Sequence, residues 1–95
     1  MTFSTRLKLL PASGGVEVFC EVLHPMQRDG AYPNYITQIV FRRNGNVEAE
    51  FLLGQYVSRH PVIGTFLESP EVGDVITVSW QDLAGNRGQA MATVK

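Results

Sequence analysis

The side chains best suited to chemistry are His24, His60, Cys20, Asp29, Arg28 and Arg59. Two imidazoles, a thiol and a carboxylate are the donors that zinc takes. Arginine offers a flat guanidinium fork that fits a carboxylate or another oxyanion. Spacing weakens the metal reading, because no C-x-x-C or H-x-x-x-H pair occurs. Ser, His and Asp are all present, yet no nucleophile elbow, phosphate-cradling glycine loop or dinucleotide fingerprint accompanies them. The residues define no catalytic centre, no metal site and no cofactor site. A stand-alone metal-binding or hydrolytic domain using His24, Asp29 and His60 is the enzymatic alternative, and a generic structural or adhesion domain is the other.

Each of these residues also has a plain reading. His24 and His60 both precede proline, which biases the backbone toward extended conformations; an imidazole bonded to a nearby carbonyl would fix each loop. Cys20 lies between Val18 and Val22 on one face of an alternating segment, the setting of a small buried hydrophobe rather than a reactive thiol. Arg28 beside Asp29 reads as an exposed ion pair of little energetic weight. Trp80 reads as core, and Asp74 and Asp82 as turn formers.

The elements that would position these groups are strands. Val16, Val18, Cys20 and Val22 alternate with Glu17 and Glu21, the period of a half-buried strand. Arg6 to Leu10 precedes it and ends at Pro11; Tyr35 to Arg42, Val62 to Leu67, Val75 to Gln81 and Gln89 to Val94 follow. Around Asn44-Gly45, a three-residue loop (Arg43-Asn44-Gly45) with a bulge pairs Phe41 with Val47 and Ile39 with Ala49. That register gathers Ile39, Phe41, Val47, Ala49 and Phe51 on one face, and a one-residue slip would invert them all. Leu53 to Pro61 is an irregular crossing. With turn signals every 8–12 residues or so, about six or seven short strands predict an antiparallel β-sandwich, immunoglobulin-like in architecture only, since the Cys…Trp…Cys pattern of true immunoglobulin domains is absent.

A chain of 95 residues is one domain, 1–95. The net charge of −1, with eight scattered Lys and Arg, excludes a basic nucleic-acid or membrane-binding stripe. A single cysteine excludes an internal disulfide, and neither an export signal nor a membrane-spanning run is expected.

One connection stands out. It runs from His24-Pro25-Met26 through Arg28-Asp29-Gly30 to Pro33-Asn34-Tyr35-Ile36. Polar and conformationally special residues in a loop between plain strands mark a recognition element. This loop, followed in order by Asn44-Gly45, Val57-Ser58, Pro61, Phe66, Gly73-Asp74, Trp80-Gln81-Asp82 and Gly85, resembles the SoxZ family, with a loop several residues shorter than the family's. The resemblance implies a non-catalytic subunit of a thiosulfate-oxidation carrier complex. It would form a heterodimer with a SoxY-like chain that holds sulfur intermediates on a cysteine at the tip of a glycine-rich arm. Sulfur-oxidising enzymes would dock transiently on that complex. The work would be periplasmic, the chain being exported with its partner; without the family, the expectation is cytoplasmic. The partner contact would involve His24, Pro25, Met26, Arg28, Asp29, Tyr35 and Arg59.

Overall fold

Alternating apolar residues fold the chain into seven strands in two antiparallel sheets, seen in a computed structural model that describes residues 3–26, 33–54 and 57–95. The strands are β1 (Ser4–Ala12), β2 (Gly15–Leu23), β3 (Ile36–Arg43), β4 (Asn46–Leu52), β5 (Val62–Glu68), β6 (Val75–Asp82) and β7 (Arg87–Thr93). One sheet has the order β1-β2-β5 and the other β4-β3-β6-β7. This is an immunoglobulin-like sandwich in which the fourth strand sits beside the third. Among the described residues there is no helix.

The inward faces are those the alternation marks. Val16, Val18, Cys20 and Val22 of β2 meet Ile39 and Phe41 of β3 and Ile76, Val78 and Trp80 of β6 in one core. Packed sheets bury such period-2 stripes against each other. Phe41 and Phe51 stack edge to face at 6.0 Å.

Two expectations need correction. β1 runs past Pro11, which pairs with Val16. An edge strand tolerates proline because the missing N–H would face away from the ladder. In the β3–β4 hairpin, Arg43 pairs with Asn46, so the loop is the two-residue Asn44-Gly45 turn. Both residues have positive φ, 51° and 86°, as the favoured hairpin turn requires. A bulge between Phe41 and Arg42 then shifts the register, pairing Phe41 with Ala49 and Ile39 with Phe51. Ile39, Phe41, Ala49 and Phe51 still share the inner face, but Val47 pairs with Arg42 and is 58% exposed. Burial sets the register, and the bulge reconciles it with the turn.

The two sides of the sandwich differ. On one, Trp80 Nε1 donates to Thr5 Oγ1 at 2.7 Å and β1 lies against β7. Gly88 permits this closure, since a Cβ there would strike the Trp80 indole and the Thr5 hydroxyl. On the other, β4 and β5 make no comparable approach.

Candidate functional site

The connection between β2 and β3 is rooted in a buried polar node at one end of the sandwich. β2 delivers His24 just past its last residue, β6 ends on Asp82, and Ile36 opens β3. His24 is fully buried and Asp82 is 5% exposed, the only buried polar side chains among the described residues. His24 Nε2 lies 3.0 Å from Asp82 Oδ2. The Met26 N–H donates to His24 Nδ1 at 2.9 Å. Since Nδ1 accepts, the neutral ring carries its proton on Nε2 and donates it to the carboxylate. Phe3 stacks on the imidazole at 4.7 Å and 16°, and Trp80 meets it edge-on at 5.7 Å.

Asp82 gathers the other elements. Its Oδ2 also accepts from Asn34 Nδ2 and Asn86 Nδ2, each at 3.0 Å, and its Oδ1 accepts from the Asn86 N–H at 2.7 Å. Burial by itself would raise the Asp82 pKa. The hydrogen bonds from His24, Asn86 and Asn34 overcome that and hold the carboxyl below its ordinary value. Asn34 completes the tie by accepting the Ala84 N–H at 3.1 Å, and the Leu83 N–H donates to the Tyr35 carbonyl at 2.9 Å.

Both ends of the loop are thereby fixed. Met26, buried, adopts φ of 50°, and its Sδ accepts the Ile36 N–H at 3.3 Å. His60 also sits at positive φ, 51°. Its Nδ1 accepts the His24 N–H at 3.0 Å, and its own N–H donates to the His24 carbonyl at 2.8 Å. Left-handed conformations at non-glycine residues persist only where surrounding bonds over-determine them. Here both border His24.

The structure brings His24, His60, Met26 and Tyr35 together, and it reassigns their roles. The two histidines do not bond a carbonyl through their rings as expected. His24 bonds a carboxylate and an N–H, and His60 accepts an N–H. Both His24 nitrogens are thus engaged within the chain, leaving no lone pair for a metal, and no cluster of three candidate ligands occurs among the described residues. Burial also puts the His24 and Met26 side chains beneath the surface, so any direct contact with a partner falls to their neighbours. Pro25 and Tyr35 are half-buried and Arg59 is exposed. Arg28 and Asp29 lie outside the described residues. Cys20 is buried, and burial pushes its thiol up to about 11.

Sequence reasoning missed the acceptor of this node. Asp82 is a turn former, as its Asn86 bonds attest, but its partner His24 stands 58 residues away. The spacing of Asp82 and Asn86 could signal the turn; nothing local could signal the histidine.

The model of a family described as the sulphur oxidation protein SoxZ matches residues 11–93 of this chain. The chain belongs to the SoxZ family. Its role therefore lies in sulfur oxidation. No curated protein matches the sequence. In this SoxZ-family chain, the His24-Pro25-Met26 segment that carried the resemblance is the segment that builds the node.

Proposed function

We propose that this chain is the non-catalytic subunit of a sulfur-carrier complex, paired with a SoxY-like chain that bears the reactive cysteine. The observation that carries this reading is the SoxZ family match over residues 11–93. The chemistry of the chain agrees with it. A carrier must present a thiolate, and the single cysteine here is buried with its pKa raised, which disfavours the nucleophilic form.

The partner meets the end of the sandwich that holds the node. That end presents Pro25, Tyr35 and the exposed Leu23, Leu52 and Leu83, together with Arg59; Arg28 and Asp29, outside the described residues, are assigned to the contact from the sequence alone. Exposed leucines with a polar rim suit a protein contact. His24 and Met26 act beneath it by holding the loop ends. The complex works in the periplasm, reached by export with the partner.

The test is co-expression with a SoxY-like chain ending in a glycine-flanked cysteine, followed by size-exclusion chromatography with light scattering. A one-to-one complex is expected, weakened by Leu83→Asp. If the two chains elute separately at micromolar concentrations, the reading fails.

A further inference from the structure

Among the described residues, β5 is the strand edge least protected against pairing: only Arg43 reaches it, its Nη1 donating to the Glu68 carbonyl at 3.1 Å at the strand's last residue. Unpaired edges invite another strand, and proteins blunt them with proline, charge, bulges or cover. β1 carries Pro11, Arg6 and Lys8. β4 carries Glu48, Glu50 and the bulge, and β7 lies against β1. β5 pairs with β2 through an unbroken register on one side only. Its sequence Val-Ile-Gly-Thr-Phe-Leu-Glu has no proline, no lysine and one charge, at its last residue. Among the described residues nothing packs closely beside it, and inward-facing Ile63, Ala49 and Phe51 are only half-buried.

We propose that β5 pairs with β5 of a second copy, antiparallel about Thr65, joining two three-stranded sheets into one of six strands. The strand is complementary to itself in this register. Thr65 is its central residue, so all seven positions pair. Ile63 meets Leu67 of the second copy and Thr65 meets Thr65 on the inner face. On the outer face Gly64 meets Phe66, and Val62 meets Glu68. Hydroxyl pairs and apolar pairs across strands are favourable, and like charges directly opposite are not. Here the sole charge falls opposite valine. Phe66, 45% exposed, brings apolar surface to the seam opposite Gly64. The same ring already lies against Gly15 within the chain, and Phe19 covers Gly64, where a Cβ would fall 2.9 Å from its ring. The carrier-chain reading places its partner at the His24 end, where β5 begins just after Arg59, so dimerisation and carrier binding are measured separately on the same variants.

Sedimentation of the purified full chain over a range of concentrations tests it. A concentration-dependent dimer is expected. Val62→Glu sets a carboxylate opposite Glu68 twice per dimer and weakens dimerisation about tenfold. Adding Glu68→Lys to that variant turns both repulsions into attractions and restores the dimer, while circular dichroism shows both variants folded. A chain that stays monomeric at high concentration overturns the proposal. So does a Val62→Glu dimer as tight as the wild type, or a double variant no tighter than the single one. A monomeric chain whose binding to a carrier chain is lost in Val62→Glu would also overturn it, in favour of a strand from the carrier.

Discussion

β6 ends on an aspartate or its neighbour at both ends, and the two carboxylates have different fates. Asp82 is buried, bonded to His24, Asn34 and Asn86, and joins three segments distant in sequence. Asp74 sits in the β5–β6 turn at the surface. It accepts the Glu71 N–H at 2.9 Å and the Asn44 Nδ2 at 3.0 Å. Its pKa is lowered chiefly by the Glu71 N–H and by Asn44, against an opposing desolvation, with the Arg43 charge assisting. Both carboxyls are thus held ionised. Only one is irreplaceable by water, because solvent reaches the donors around Asp74 and not His24. Equal residue types with pKa shifts in the same direction therefore carry unequal structural weight, and burial is what separates them.

Removing Asp82 should do the most damage. Asp82→Ala leaves the buried His24 Nε2–H without an acceptor and frees Asn34 and Asn86, at about 1–3 kcal/mol for each unmet buried donor and about 3–5 kcal/mol together. Chemical denaturation measures this directly, and a loss under about 1 kcal/mol would dissolve the contrast with Asp74. His24→Ala comes next, at about 2–4 kcal/mol, since it opens a cavity between Phe3 and Trp80 and orphans the Met26 N–H. Amide exchange should then rise at Met26 and Ile36 before it rises in β2.

Acid titration sharpens the same comparison. With the folded-state pKa of Asp82 lowered, the unfolded chain binds the extra proton first as pH falls. The stabilisation is complete above the unfolded value of about 4 and is lost as pH drops through the folded value. Asp82→Asn should flatten this acid limb markedly. Asp74→Asn should flatten it less and leave the neutral-pH midpoint close to wild type; equal flattening would contradict the distinction. The smallest effect concerns Cys20. With its thiol at about 11, the folded chain should resist thiol reagents at pH 8 and react fully only in denaturant.

How much of this was legible follows from range. The alternation in Val16 to Val22 and Val75 to Gln81 specified strands and inner faces, because a period of two is a local property. The hairpin shows the boundary of that method. Inner-face parity was readable from Ile39, Phe41, Ala49 and Phe51, whereas the turn length was not, since a bulge can absorb the extra residue. The loop drew attention through His24 and Met26, and the family through the order of its motifs. Yet the part played by His24 is set by Asp82, the last residue of a strand in the opposite sheet, which only the folded sandwich brings near. Long-range polar partners leave no periodic trace.

The clamp across the loop roots has an evolutionary corollary. Met26 Sδ on the Ile36 N–H, with Asn34 on Asp82, fixes where the chain leaves one sheet and joins the other. Residues between those anchors can then be inserted or deleted without shifting the register of β2 or β3. Doubling such a connection costs only about 0.6 kcal/mol in closure entropy. Loop length becomes a freely drifting character, and lineages can retune what the loop touches while the sandwich beneath it stays unchanged.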